Sequence, residues 1–168
     1  MTNISASQVK ELREKTGLGL MDCKKALEEA NGDLELAIEE LRKTSGVKAS
    51  KKSGRSAADG LIGILSKNSN IFMIEVNCET DFVARDQSFI EFTSNTLNDY
   101  SERPDSSLEE LLQNGVEENR EKLVQKLGEN IVVRRIDKTS GSSVAGSYLH
   151  SNKKIGCLVS LEGGDMSL

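Results

Sequence analysis

Residues 60–85 read GLIGILSKNSNIFMIEVNCETDFVAR, and this stretch decides the fold of the larger part of the chain. Two apolar runs, Gly60–Leu65 and Ile71–Val76, are separated by a short polar segment, a pattern typical of a β-hairpin. After the second run the pattern changes, because Thr80 or Asp81 can act as the N-cap of a helical turn. The stretch therefore predicts a hairpin that leads into a strand-to-helix junction.

Phe82 lies at this junction, directly after the charged residue Asp81. Two roles fit such a side chain. It can close the apolar core as a lid, or it can project from a rigid turn as a wedge for a partner. The residues themselves do not decide between these two roles.

The rest of the C-terminal region alternates between helical and strand patterns. An apolar stripe over Gln87–Tyr100 predicts a helix, and Pro104 ends it. The remaining predicted elements are a short helix capped by Ser106 or Ser107, a helix over Val116–Leu127 ended by Gly128, a strand over Ile131–Ile136, and a hairpin of Val144–His150 and Ile155–Leu161. Strands before and after a group of helices predict an α+β domain with an antiparallel sheet packed with helices.

The first 46 residues predict three short helices. Ser5 and Gln8 form a capping box for the first helix, and Asp33 is an N-cap for the third. Apolar residues recur at helical spacing in the second and third helices, so the three can bury one another. These apolar positions are Cys23, Ala26, Leu27, Ala30, Leu34, Ala37, Ile38 and Leu41.

The turn between the first two helices places Leu18 between two glycines, with Leu20 and Met21 close behind it. Large apolar side chains on such a turn are either core residues or an exposed recognition patch. The pattern alone favours the core.

The net charge of −5 is unevenly distributed, since residues 1–58 have a net charge of +2 and the remainder −7. The positive excess lies between Arg42 and Arg55, and the overlapping stretch Thr44–Gly54 is rich in Ser, Gly and Ala. This composition is typical of a linker, so a module boundary is predicted here. Basic residues without interleaved aromatics are a weak signal for nucleic acid, and a solvated linker is the favoured interpretation.

Composition argues against several classes of protein. The 168 residues contain no apolar run near the roughly 20 residues of a membrane helix, and the N-terminus lacks a signal-peptide pattern. Cys23, Cys78 and Cys157 are far apart and odd in number, which predicts a reducing compartment. The cysteines and the single histidine, His150, lack zinc-site spacing, and no phosphate-binding loop is present. We therefore expect a cytoplasmic protein that spans no membrane, binds no metal through these residues and is not a hydrolase.

Four motifs of the chain resemble those of one known family. The most specific is Thr80–Arg85 together with the preceding Glu75–Glu79. The other segments are Val9–Arg13 with Thr16–Leu27, Gly128–Ile131 with Val133–Arg135, and Gly146–Tyr148 with His150. Together they are similar to the motifs of bacterial elongation factor Ts, in the same order and across the whole chain. The chain resembles a short or C-terminally truncated member of that family.

The resemblance implies a guanine-nucleotide exchange factor. Such a factor binds elongation factor Tu with GDP during translation elongation and promotes GDP release by disturbing the magnesium and phosphate site. It needs no bond chemistry and no cofactor. The resemblance also implies a ubiquitin-associated-like three-helix module over residues 1–46, a basic linker over 47–57, an α+β core subdomain over 58–140 and the start of a second core subdomain over 141–168.

The resemblance further implies which residues contact the GTPase. Asp81 and Phe82 would lie beside its magnesium site, with the phenyl ring between two of its helices. Leu127 and Gly128 would approach its phosphate-binding region, and His150 a more distant domain. The full set of implied contacts is Leu12, Leu20, Met21, Thr80, Asp81, Phe82, Val83, Leu127, Gly128 and His150.

Many members of the family continue beyond the point at which this sequence stops. The segment Val144–Leu161 would then expose unpaired strand edges, which proteins usually cover. Either the sequence is a partial chain, or self-association as a homo-oligomer covers the sheet. Two other functions stay open. One is a non-catalytic ubiquitin-associated-like binding module with a scaffold domain, and the other is an RNA-associated protein that uses the basic segment, although we expect no direct nucleic-acid contact.

Overall fold

A computed structural model describes residues 4–139 and 144–161. The backbone groups into two compact units, the first made of residues 1–54 with 118–129 and the second of residues 55–117 with 130–168. The helices are α1 (Ala6–Thr16), α2 (Leu20–Glu29), α3 (Leu34–Lys52), α4 (Asp81–Ala84), α5 (Gln87–Glu102), α6 (Leu108–Leu111) and α7 (Glu117–Leu127). The strands are β1 (Asp59–Lys67), β2 (Asn70–Cys78), β3 (Val132–Lys138), β4 (Val144–Leu149) and β5 (Gly156–Leu161). The predicted α+β class is confirmed.

Capping residues in the first unit are those that the sequence predicts. The Ser5 N–H donates to Gln8 Oε1 (3.0 Å) and Ser5 Oγ accepts from the Gln8 N–H (3.3 Å), which confirms the capping box. Gly17 ends α1 in the left-handed conformation, with φ of +69°. Asp33 Oδ1 accepts from the Leu36 N–H (3.0 Å) at the start of α3. Local signals therefore place both ends of α1 and the start of α3.

The core of the first unit is aliphatic. Its helices bury the apolar stripes that their spacing predicts, and the turn residue Leu18 joins them with only 2% of its surface exposed. The buried members are Val9, Leu12, Leu18, Cys23, Ala26, Leu27, Ala30, Ala37 and Leu41.

The predicted linker is wrong over most of its length, because α3 continues to Lys52. Small residues in this stretch form a packing face: Ser45 and Ala49 are each 1% exposed. The Ser45 hydroxyl contacts Gln125 Oε1 of α7, and a Cβ atom at Gly46 would lie 3.2 Å from a carboxylate oxygen of Glu121. A composition rich in Ser, Gly and Ala therefore marks close helix packing here, and the first compact unit extends to residue 54 and includes most of α7.

The basic residues of the same stretch are also engaged. Arg42 Nη2 lies 2.7 Å from Glu118 Oε2, and Lys48 Nζ lies 3.1 Å from Asp22 Oδ1. These ion pairs lie within the first unit, so the positive charge of the stretch is partly neutralised by its neighbours.

A three-stranded antiparallel sheet, ordered β1-β2-β3, forms the centre of the second unit. The hairpin of β1 and β2 pairs Asp59 with Cys78 and Lys67 with Asn70, which confirms the predicted hairpin. Helix α5 packs against the sheet, and the rings of Phe72 on β2 and Tyr100 on α5 meet edge to face with centroids 5.3 Å apart. Alternate β2 residues therefore point toward α5 and form the core.

The second predicted hairpin is present as the two-stranded sheet of β4 and β5. Its turn is attached to β1, because the Ile62 N–H donates to the carbonyl of Lys153 (2.7 Å). A Cβ atom at Gly156 would lie 3.0 Å from Ile62 Cγ2, so one face of the hairpin lies close to β1. The opposite face is apolar and exposed at Tyr148, Ile155, Val159 and Leu161.

The helices between β2 and β3 follow the sequence with two refinements. Ser107, rather than Ser106, forms the capping box, with Oγ accepting from the Glu110 N–H at 3.2 Å. Gly115 adopts φ of +93° and interrupts the helical conformation between α6 and α7, so α7 begins at Glu117. Gly128, with φ of +81°, ends α7 as predicted.

Candidate functional site

The turn that follows β2 is built from local hydrogen bonds. Thr80 Oγ1 accepts from the Val83 N–H (3.4 Å), so Thr80 rather than Asp81 is the N-cap of α4. The Cys78 thiol donates to the carbonyl of Thr80 (3.2 Å) and Cys78 is fully buried. The turn is therefore anchored to the end of the strand at the residue that caps it.

Phe82 projects from this turn. Its side chain is 82% exposed, whereas the next two residues, Val83 and Ala84, are 9% and 2% exposed. The lid interpretation of Phe82 is wrong, because the core is closed by its neighbours. Val83 anchors the turn from below, and its predicted direct contact with a partner stays a prediction. Burying a phenyl ring is worth roughly 1.5–3 kcal/mol, so the exposed ring is a strong potential contact.

Asp81 flanks the exposed ring with a negative charge. Its Oδ2 lies 2.8 Å from Arg85 Nη2, one helical turn further on, and the Asp81 side chain is 41% exposed. An exposed ion pair at this spacing contributes little to stability. The carboxylate can therefore exchange its partner for another group at small energetic cost.

Glu79 connects the turn to a distant part of the chain. Its Oε1 accepts from the main-chain N–H of Asn130 (2.6 Å) and lies 3.5 Å from Arg55 Nη1. The sequence alone did not single out Glu79 or Asn130 as functional residues, although both lie in the family motifs. The two positions are 51 residues apart, so no local spacing could have linked them.

The first unit has an apolar patch of its own, formed by Leu20 and Met21 at the start of α2. These side chains are 52% and 71% exposed, which favours the recognition-patch interpretation for both. The core interpretation holds for Leu18 alone. Leu12 is 0% exposed and belongs to the core of this unit, and its predicted contact with a partner stays a prediction.

Leu127 and Gly128 lie at the end of α7. Leu127 is half-buried and Gly128 is exposed. The Lys52 ammonium donates to the carbonyl of Gly128, so the end of α3 holds the end of α7. Both predicted residues are thus at a surface loop with a defined backbone conformation.

His150 is half-buried at the end of β4. Its main-chain N–H donates to the carbonyl of Ile155 (2.9 Å), its Nδ1 accepts from the Asn152 N–H (3.4 Å), and its ring lies edge to face with Tyr148. These contacts order the imidazole at the tip of the hairpin.

The same hairpin tip contains an ion pair with β1. Lys154 Nζ lies 2.8 and 2.7 Å from the two carboxylate oxygens of Asp59. This hydrogen-bonded ammonium, together with the Gly60 N–H, lowers the pKa of Asp59 below its usual 3.8. The hairpin is thereby attached to the first sheet by a bond that depends on pH.

Metal-binding clusters and membrane-spanning helices are two further features that would indicate function. Over residues 4–139 and 144–161, no group of three or more His, Cys, Asp and Glu side chains is placed to hold a metal ion. None of the helices in the described part of the chain is long and apolar enough to cross a bilayer.

The exposed apolar side chains on these anchored turns are the candidate interaction surfaces of this α+β protein. A family model described as elongation factor TS matches residues 79–167. The chain belongs to the elongation factor Ts family, which confirms the resemblance inferred from its motifs.

Similar proteins cover the chain from end to end. Those named elongation factor Ts from Marinobacter nauticus, Hahella chejuensis and Salmonella agona are 53%, 51% and 50% identical over 100% of this chain. The chain in turn spans 58%, 59% and 58% of the length of these relatives.

Proposed function

We propose that this chain is a guanine-nucleotide exchange factor that binds elongation factor Tu with GDP in the cytoplasm and accelerates GDP release during translation elongation. The observation that best supports this function is the 82% exposure of Phe82 on a turn whose next two residues are buried. A ring presented in this way can enter a partner without unfolding its own core. Membership in the elongation factor Ts family supports the choice of partner.

In the proposed mechanism, Phe82 inserts between two helices of the GTPase beside its magnesium site, and Asp81 enters with it. A bound magnesium ion and oriented backbone dipoles hold the nucleotide phosphates. Moving either group weakens nucleotide binding without making or breaking a covalent bond. Burial of the phenyl ring, worth roughly 1.5–3 kcal/mol, offsets part of the distortion that it causes in the partner.

We assign the other exposed residues to docking. Leu20 and Met21 are the apolar contacts of the first unit, where truncation of a partly exposed side chain weakens binding by about 1–2 kcal/mol. Leu127, Gly128 and His150 are further contacts, and Thr80 acts by capping the turn that presents the wedge.

A nucleotide-release assay tests this proposal. Elongation factor Tu loaded with a fluorescent GDP is mixed in a stopped-flow instrument with excess unlabelled GDP and increasing amounts of this chain. The wild-type chain should raise the release rate to a plateau, and Phe82→Ala should lower that plateau. Val47→Ala is the control, since Val47 is also an exposed apolar residue (55%) but lies outside the proposed surfaces. An unchanged plateau in Phe82→Ala would show that the wedge mechanism is wrong.

The alternative function is a non-catalytic binding module with a scaffold domain. The exposure of Leu20 and Met21 favours it independently of Phe82. It predicts a chain that binds a ubiquitin-like or nascent-chain partner through the first unit and leaves the rate of GDP release from elongation factor Tu unaltered. The same titration, combined with a direct binding measurement, distinguishes the two functions.

A further inference from the structure

We infer that Glu79 is a positioning residue that holds the turn of Phe82 in its projecting conformation. The contact responsible is the 2.6 Å hydrogen bond from the Asn130 N–H to Glu79 Oε1, here called the Glu79–Asn130 bridge. The inference rests on the proposed function, because it identifies the contact that orients Phe82, the residue proposed to insert into the GTPase.

The Asn130 end of the bridge is fixed by the core. Asn130 is 2% exposed, and its Nδ2 donates to the carbonyl of Arg55 (2.8 Å). The next residue, Ile131, is 0% exposed, and Val132 then begins β3 and pairs with Asn77 of β2. The bridge therefore joins the residue after β2 to a segment that cannot move without opening the sheet.

The Glu79 end lies directly before the cap of the turn. Glu79 stands between Cys78, which is fully buried, and Thr80, whose hydroxyl accepts from the Val83 N–H. A hydrogen bond from a main-chain N–H to a carboxylate is charge-assisted and roughly twice as strong as a neutral one. With this bond in place, the peptide that precedes Thr80 keeps the orientation in which Thr80 can cap α4.

The bridge affects exchange through the population of the projecting conformation. If the Phe82 turn projects in only a fraction of the molecules, the apparent strength of the interaction of Phe82 with the GTPase falls by that fraction. The docking patch of Leu20 and Met21 belongs to the other unit and does not include Glu79. Loss of the bridge should therefore lower the plateau of the release rate more than it changes the half-saturating concentration.

Three substitutions in the full chain isolate the bridge. Glu79→Ala removes the acceptor, whereas Glu79→Gln keeps an oxygen that can accept from the Asn130 N–H. Glu75→Ala is the matched control, since Glu75 is on β2, the strand that Glu79 follows, and is also paired with an arginine, at 2.6 Å from Arg135, but lies outside the turn. We expect Glu79→Ala to lower the plateau about tenfold, which corresponds to about 1.4 kcal/mol, with most of the activity kept in Glu79→Gln and all of it in Glu75→Ala.

A double substitution shows whether Glu79 acts through Phe82. If it does, adding Glu79→Ala to Phe82→Ala should lower the plateau no further than Phe82→Ala alone. Multiplicative losses in the double variant would overturn the inference, as would a Glu79→Ala plateau equal to that of the wild type. These outcomes are separate from failure of the proposed function, in which Phe82→Ala itself has no effect.

Amide hydrogen exchange on the free chain tests the bridge without the GTPase. The amides of Ala84 and Arg85 donate to the carbonyls of Thr80 and Asp81 within the turn (both 3.2 Å). Glu79→Ala should speed their exchange several-fold while leaving the amides of β1 unchanged, and Glu79→Gln should have a smaller effect. Equal exchange of the turn in wild type and Glu79→Ala would contradict the inference even if exchange activity were lost.

Discussion

The main chain of Gly60 passes so close to Val76 that a Cβ atom at residue 60 would lie 2.1 Å from the Val76 carbonyl oxygen. Gly60 also adopts φ of +147°, a backbone conformation that side-chain-bearing residues rarely adopt. Residue 60 pairs with Asn77, at the end of the strand that leads into the Phe82 turn. This close approach makes the position sensitive to the smallest possible substitution.

Gly60→Ala should therefore destabilise the second unit by about 2–4 kcal/mol, because both backbone strain and a clash with main-chain atoms must be relieved. Urea denaturation monitored by circular dichroism measures the change. Gly146→Ala is the control, since Gly146 is also in a strand but a Cβ atom added there would meet no other part of the described chain within 4 Å. Equal stability of the two variants would show that β1 and β2 do not approach as described.

A proline substitution tests the extension of α3 through the stretch whose composition resembles a linker. Val47 is 55% exposed, so its side chain contributes little packing. Val47→Pro removes a helical hydrogen bond and introduces a steric clash, and we expect a loss of about 3 kcal/mol. Val47→Ala should leave stability within about 0.5 kcal/mol of the wild type. A Val47→Pro variant as stable as Val47→Ala would support a flexible linker in place of the helix.

The turn between α1 and α2 offers a comparison of two leucines that lie two positions apart. Leu18→Ala should lower the free energy of unfolding by about 2–5 kcal/mol, because Leu18 is 2% exposed in the core. Leu20→Ala should change it little and should instead weaken binding to elongation factor Tu by about 1–2 kcal/mol. Thermal denaturation and titration calorimetry separate the two effects. A Leu20→Ala variant that unfolds more easily but binds normally would place Leu20 in the core.

The ion pair of Asp59 and Lys154 predicts a pH dependence of stability. The lowered pKa of Asp59 means that its contribution is fully present above the usual value of 3.8 and is lost as the pH falls through the folded-state pKa. Both side chains are partly exposed, so the contribution is at most about 1 kcal/mol. Lys154→Met should reduce stability at pH 6 and should match the wild type more closely near pH 3. Lys51→Met, which removes a positive charge from α3, is the control. A difference that grows on acidification would contradict the assignment.

Prediction from sequence succeeded where the signal was local. The capping box of Ser5 and Gln8, the cap at Asp33 and the hairpins are set by residues within a few positions of one another, and the structure contains them all. It failed where the deciding contact was distant. Ser45 and Gln125 are 80 positions apart, so nothing near Ser45 indicated that a second helix covers it.

In the candidate site, too, sequence patterns predicted local features but not those that depend on distant contacts. The motif around Phe82 indicated that the residue matters, but two roles fitted it equally, because exposure depends on whether other residues already close the core. Leu12 and Leu20 illustrate the point in the first unit. Both are leucines in a family motif, yet one is 0% and the other 52% exposed, and only the packing of three helices separates them.

Thermodynamic linkage makes a further prediction for Phe82. If the chain weakens GDP binding to elongation factor Tu by some factor, GDP must weaken binding of the chain by the same factor. A thousandfold effect corresponds to a coupling of about 4 kcal/mol. Titration calorimetry should therefore give dissociation constants for the chain, with and without GDP, whose ratio equals the ratio for GDP with and without the chain.

Phe82→Ala should reduce both ratios together, because the ring and the nucleotide compete for one conformation of the partner. A substitution that lowered affinity alike with and without GDP would instead identify Phe82 as a docking residue. Leu20→Ala should behave in that second way, since its proposed contact is to the partner and not to the nucleotide site.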